Sequence, residues 1–204
     1  MYKFYINKSL YFDMPAVRDK ISAIKTVIST TKYIIIGAAR KSRRQANDVE
    51  IIMHTSGRMR RVIYCINDKF ISMAFPFDYK NNKFFFNGVE VDNEVISIIN
   101  SFIECEHVSS ACNFSLEALF DHDANLVENQ NAFFVFIGLL MSEDGYIRYD
   151  FDPEHDNGFR HPACHLDLNY STSASFKIGL HNSISCSTFM DIVDNGKDRK
   201  VLRV

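Results

Sequence analysis

Apolar positions recur along this chain at two spacings, one helical and one alternating. After Pro15, the residues Val17, Ile21, Ile24, Val27 and Ile28 follow each other at steps of 4, 3, 3 and 1. That spacing draws one apolar stripe along a helix, with Asp13 as its candidate N-cap. YIIIGA (33–38) is apolar without a period, so it fits a buried strand or a helix end equally. DVEIIMH (48–54), RRVIYCI (60–66) and KFISMAF (69–75) predict successive strands, joined at Ser-Gly and Asn-Asp turn signals. NKFFFNGVEV (82–91) carries Asn-Gly at its centre and predicts a tight hairpin. Together these form a β-meander. Asn93 opens a helix that turns Val95, Ile96, Ile98, Ile99, Phe102 and Ile103 to a core. SLEALFDHDANLV (115–127) predicts a short second helix, and the Phe- and Val-rich AFFVFIGLLM (132–141) a central strand. GYIRYDFD (145–152), CHLDLNY (164–170) and SFKIGL (175–180) read as strands, and SCSTFMDIV (185–193) as a closing helix capped by Ser185 or Ser187. The tail NGKDRKVLRV reads as a frayed end or a partner contact.

Strands in blocks, helices in blocks and hairpin-length connections define α+β. The expected architecture is a mainly antiparallel sheet, a meander plus C-terminal hairpin strands, packed by three to four helices. No linker interrupts the chain, so a single domain over 1–204 is expected.

Composition narrows the class. An apolar share of 47%, with 18 Phe and 9 Tyr, is enough for a packed core and excludes global disorder. The five cysteines are odd in number and none is spaced C-x-x-C, which argues against a secreted disulfide framework and a zinc finger. The start MYKFYINKSLYFDM lacks the unbroken apolar core of a signal peptide. The longest apolar run is ten residues, whereas a spanning helix needs about 20. These features predict a soluble protein of the reducing cytoplasm with no membrane partner. Charge is uneven: residues 1–80 hold 15 Lys and Arg against 6 Asp and Glu, and residues 81–204 hold 8 against 19. The basic half suits a nucleic-acid surface. The same asymmetry also fits a solvated face, or attraction between the halves.

Candidate chemistry concentrates in YIRYDFDPEHDNGFRHPACHLDL (146–168), where ten of twenty-three residues are Arg, Asp, Glu or His. Strand alternation puts Tyr146, Arg148, Asp150 and Asp152 on one face, and His165, Asp167 and Asn169 on one face of the later strand. If the two strands pair, these rows lie side by side, with His155, Arg160 and His161 in the loop above. His165 is then the candidate acid/base and His161 a second proton carrier. Asp150 and Asp167 would orient them, and Arg148 would hold phosphate. That inventory suits metal-free RNA cleavage by a 2′-hydroxyl. No cofactor is required, but Asp150, Asp167 and His165 would equally suit Mg²⁺. A hairpin with one wet face and cross-strand ion pairs alternates in the same way.

Arg40, Lys41, Arg43, Arg44, Arg58, Arg60 and Arg61 are the candidate nucleic-acid contacts. Other signals are weak. Gly37 stands alone, with no G-x-G-x-x-G, Walker, H-E-x-x-H or G-x-S-x-G pattern in the chain. His54 reads as a satisfied core or edge histidine, and Asp121, His122 and Asp123 as a helix end.

The run R-Y-D-F-D-P (148–153), then H-P-x-x-H-L (161–166), FKIGL (176–180) and S-x-S-T-F-M-D-I-V (185–193), resembles a family of bacterial proteins catalogued only as a domain of unknown function. The likeness covers about residues 145–193 and implies no settled activity. More loosely, Arg148, Asp150, His161 and His165 are similar to the R-x-D and His-rich strand of small bacterial toxins thought to cut RNA. This chain departs from them at Asp167, where a further His is expected. The resemblance implies a ribonuclease of a toxin–antitoxin or antiviral defence system. The other expectation is a non-catalytic subunit bound to a partner ATPase, nuclease or antitoxin.

Overall fold

The computed structural model describes residues 1–12, 16–41, 45, 47–104, 128–170 and 173–198. They group into two compact units, each built from separated stretches of chain. The first takes residues 1–11, 40–75 and 144–204, and the second residues 12–39 and 76–143. The fold is α+β, as the alternation predicts.

The first unit is a seven-stranded antiparallel sheet. Its strands are β1 (Tyr2–Asn7), β2 (Asp48–Ser56), β3 (Met59–Ile66), β4 (Lys69–Ala74), β8 (Ile147–Phe151), β9 (Cys164–Leu168) and β10 (Phe176–Gly179), adjacent in that order. A short helix, α1 (Lys8–Phe12), follows β1, and α5 (Cys186–Val193) closes the chain. The meander β2–β3–β4 forms where the alternation and turn residues predict it. Gly57 (φ 59°) and Asn67 (φ 51°) take the left-handed conformations its two turns demand.

α5 covers one face of this sheet. Ser185 caps it, accepting from Thr188 N–H at 3.2 Å. Its Phe189 and Val193 pack with Ile52, Ile63, Phe70, Tyr149, Cys164 and Leu166. The expectation of reduced cysteines is corrected here: Cys65 of β3 and Cys186 at the start of α5 form a disulfide, and Cys164 is free and buried. The two residues are 121 apart in sequence, so only the packing of α5 on the sheet brings them together.

Just after α5, Asp194 Oδ1 accepts Gly196 N–H at 2.8 Å, and His54 Nε2 of β2 lies 2.8 Å from Oδ2. The Gly196 N–H, the Ser56 hydroxyl and His54 together hold the Asp194 carboxyl at about 2, against 3.8 for an ordinary aspartate. A depressed carboxyl stabilises the fold above its unfolded value and loses that contribution as pH falls through its folded value. Asp194→Asn is therefore expected to flatten the loss of stability between about pH 4 and pH 2. Urea unfolding across that range checks it, and an unchanged slope refutes it.

The second unit holds α2 (Lys20–Ile35), a small sheet of β5 (Asp78–Lys80), β6 (Lys83–Phe86) and β7 (Val89–Glu90), then α3 (Asn93–Glu104) and α4 (Gln130–Met141). The Asn-Gly hairpin forms as expected, with Asn87 at φ 47° and Gly88 at φ 90°. α2 starts later than its stripe suggests. Asp19 caps it, in a reciprocal box with Ser22, while Asp13 and Pro15 lie outside the described residues. YIIIGA is the end of α2, with Gly37 beyond it at φ 73°.

The strand expected at 132–141 is corrected to α4. Asn129 caps it through Ala132 N–H at 2.9 Å, and Ala132, Val135, Phe136 and Leu139 are its buried residues. That i, i+3, i+4, i+7 pattern is helical, and the surrounding apolar residues hid it. A Cβ at Gly138 would sit 2.3 Å from the Phe86 ring, so glycine is what lets β6 approach this helix. The helix expected at 115–127 lies outside the described residues. Among those described, no helix is long and apolar enough to cross a membrane.

Candidate functional site

The site is built by strand register. β8 and β9 pair antiparallel with Arg148 opposite Asp167 and Asp150 opposite His165. Their apolar neighbours Tyr149 and Leu166 also pair, and both join the α5 core on the other face. The period-2 pattern therefore assigns the polar row to the opposite face. The flanking strands add a residue each. Lys69 of β4 lies opposite Asp150, and Lys177 of β10 lies opposite Asp167.

These side chains form one connected network. Arg148 Nε donates to Asp150 Oδ2 at 2.6 Å, and its Nη2 donates to Asp167 Oδ2. Lys177 Nζ donates to Asp167 Oδ1 at 2.6 Å and contacts His165 Nε2 at 3.0 Å. Lys69 Nζ stands 3.3 Å from Asp150 Oδ1. The His165 ring is held from behind, with Nδ1 2.8 Å from the Pro162 carbonyl. A carbonyl only accepts and an ammonium only donates, so Nδ1 carries the ring proton and Nε2 presents its lone pair. Gly179 makes room for this: a Cβ there would come within 2.8 Å of Pro162, whose carbonyl the ring needs.

Burial grades the network from inside out. The His165 side chain is 2% exposed and the carboxylates of Asp150 and Asp167 15% and 11%. The cations are more open, at 32% for Arg148, 35% for Lys177 and 44% for Lys69. Burial pushes the Asp167 carboxyl up, but the Lys177 hydrogen bond and the Arg148 and Lys177 charges outweigh it, leaving it below the ordinary range. Burial likewise opposes charge on Arg148, and Asp150, Tyr146 and Asp167 reverse that effect. Two phenols border the cluster. Burial raises both Tyr11 of α1 and Tyr146 above their ordinary values, and both feel the Arg148 charge.

Asp150, His165 and Asp167 each offer a metal-ligand atom, all within 4.8 Å of one another. His161 lies near this group, its ring tilted and 4.8 Å from that of His165, with Nδ1 3.2 Å from the His155 carbonyl. Asp152 and Asn169 fall past the strand ends and leave the row. Asp152 pairs instead with the exposed His155 at 2.8 Å. Lys69 and Lys177 were missed by the sequence reading. The signal for Lys177 is present, since Phe176 and Ile178 alternate around it and place it on the His165 face.

Among the described basic residues of the first half, Arg40 and Arg61 make bonds within the sheet unit. Arg40 binds Asp48 through Nη2 at 2.7 Å. Arg61 donates through Nε to Ser72 at 2.8 Å and through Nη2 to the Gly145 carbonyl. Lys41, Arg58 and Arg60 are exposed, with the Lys41 ammonium 5.6 Å from the centre of the Phe4 ring. Arg43 and Arg44 lie outside the described residues. Comparison with protein-family models, curated proteins and solved structures finds no match to this chain.

Proposed function

We propose that the protein is an RNA-directed component of a bacterial toxin or phage-defence type system, and that the polar face of β8, β9 and β10 receives a phosphodiester. The observation that carries this reading is the charge of the network. Three cations, Arg148, Lys177 and Lys69, surround two carboxylates and an imidazole on a part-open face. The set keeps a net positive charge, and its most exposed members are its cations. Arg148 and Lys177 have five and three N–H donors, more than their carboxylate and imidazole bonds consume.

The chemistry suited to this arrangement is metal-free cleavage. The 2′-oxygen attacks phosphorus and the 5′-oxygen leaves. His165 Nε2 takes the 2′-proton, Lys177 supplies one to the leaving oxygen, and Arg148 holds the phosphoryl oxygens. Lys177 covers His165, so its amine moves onto the substrate before Nε2 acts. Incubation of the purified protein with mixed RNA and DNA, in Mg²⁺ and in EDTA, tests the reading beside His165→Ala and Lys177→Ala. The expected result is RNA cleavage that persists in EDTA and falls by about 10²–10⁴-fold in either variant. No cleavage and no RNA binding by folded protein overturns it.

One observation favours a second reading, a non-catalytic subunit. His165 is 2% exposed and both its nitrogens are engaged, as in a purely structural polar network. A protein partner, whether ATPase, nuclease or antitoxin, would then use the charged surfaces. In that case His165→Ala leaves function intact once folding is preserved. Charge reversal at Lys41, Arg43 and Arg44 breaks a complex that co-purification detects.

A further inference from the structure

We infer that the Lys177 ammonium holds the His165 and Asp167 ligand atoms that a divalent metal shared with Asp150 would need, so that the site carries its own cation. What that cation serves rests on the phosphate reading above; where it sits does not. The three groups form a ligand set of imidazole and carboxylates with atoms within 4.8 Å of one another. His165 is also prepared as metal-binding histidines are, its Nδ1–H donated to a backbone carbonyl and its Nε2 lone pair turned inward. Yet that lone pair already accepts from Lys177 Nζ at 3.0 Å, and Asp167 Oδ1 from the same ammonium at 2.6 Å. Nε2 has one lone pair, so a Lys177 N–H and a metal ion exclude each other there.

Charge points the same way. Arg148 already spans both carboxylates and Lys69 faces Asp150. A divalent ion added beside three cations meets a site that is positive before it arrives. Removal of Lys177 frees Nε2 and Asp167 Oδ1 together and lowers the charge by one. Lys177 stands on β10, at the end of the strand order, directly opposite Asp167. That register position brings the ammonium onto His165 and Asp167.

Cobalt(II) titration followed by visible absorption and calorimetry tests this on wild type, Lys177→Ala, Lys177→Met and the Lys177→Ala/His165→Ala pair. The expected result is one cobalt site per chain in the Lys177 variants, with affinity higher than wild type by about tenfold or more, and its loss in the double variant. Wild type binding as tightly as Lys177→Ala through His165 overturns the inference. So does a folded Lys177 variant with no His165-dependent site. Should neither single variant fold, nitrogen NMR of wild-type His165 decides. Its Nε2 signal is expected to stay in place when Zn²⁺ is added, and a shift on zinc overturns the inference. No nucleic acid enters these measurements, so their failure is separate from failure of the RNA reading.

Discussion

Phe189→Ala is expected to lower the unfolding free energy of the sheet unit by about 3–5 kcal/mol. Its ring is fully buried, 5.8 Å from that of Phe70, which in turn stacks at 5.3 Å on Tyr149. Truncation loses the transfer energy of a large aromatic and leaves a cavity bounded by strands that cannot collapse inward. α5 has eight residues, and only Phe189 and Val193 are buried. A helix of two turns has little stability of its own, so it holds its place through that face. The disulfide keeps Cys186 attached to β3 but places no ring in the gap. Phe189→Leu should cost much less, about 1 kcal/mol, because it keeps most of the volume. Phe159 is fully exposed, and Phe159→Ala serves as the control, within about 0.5 kcal/mol of wild type. Urea unfolding followed by circular dichroism reads all three. Equal midpoints for Phe189→Ala and Phe159→Ala would show that α5 does not anchor the sheet.

Phe189 is also a fair measure of what the sequence disclosed. Its helix, its cap and the apolar face it meets follow from local spacing. So do the meander and the two polar rows, because a strand with one buried face fixes its register through period 2. From Tyr149 and Leu166 pointing inward, the row Arg148, Asp150, His165 and Asp167 could be placed together before any coordinates. Local pattern failed where the deciding partner is distant. AFFVFIGLLM is apolar on nearly every side, so neither period stands out, and the capping residue Asn129 before it is the local mark of a helix. β1 mixes aromatic and polar residues and becomes a strand because β2 lies beside it. The Cys65–Cys186 bond and the Lys69–Asp150 contact join residues far apart in sequence. The two units exchange the chain without a linker, so no composition shift marks their limits.

The partners of Asp167 make it the second position of large effect. Asp167→Ala leaves Lys177 with His165 alone and Arg148 with one carboxylate in place of two. Breaking a buried ion pair costs about 3–5 kcal/mol. Arg148 and Lys177 are about one-third exposed, and water screening reduces the expected loss to about 2–3 kcal/mol. Asp167→Asn keeps the shape and one acceptor, so its loss should be smaller. The two variants also separate by pH. The Asp167 carboxyl is held below its ordinary value in the folded chain. Its contribution is therefore full above the ordinary carboxylate range and disappears as pH falls below it. The difference between wild type and Asp167→Asn should narrow steadily on acidification, and unfolding free energies taken stepwise from neutral pH downward measure it. A difference that stays constant would mean that the carboxylate charge contributes nothing and that only its shape matters. RNA binding gives the complementary readout. Asp167→Asn leaves Arg148 and Lys177 in place but removes the anion that competes with phosphate for their donors. If the face receives phosphate as proposed, binding should therefore tighten or hold, which simple unfolding of the face would not produce.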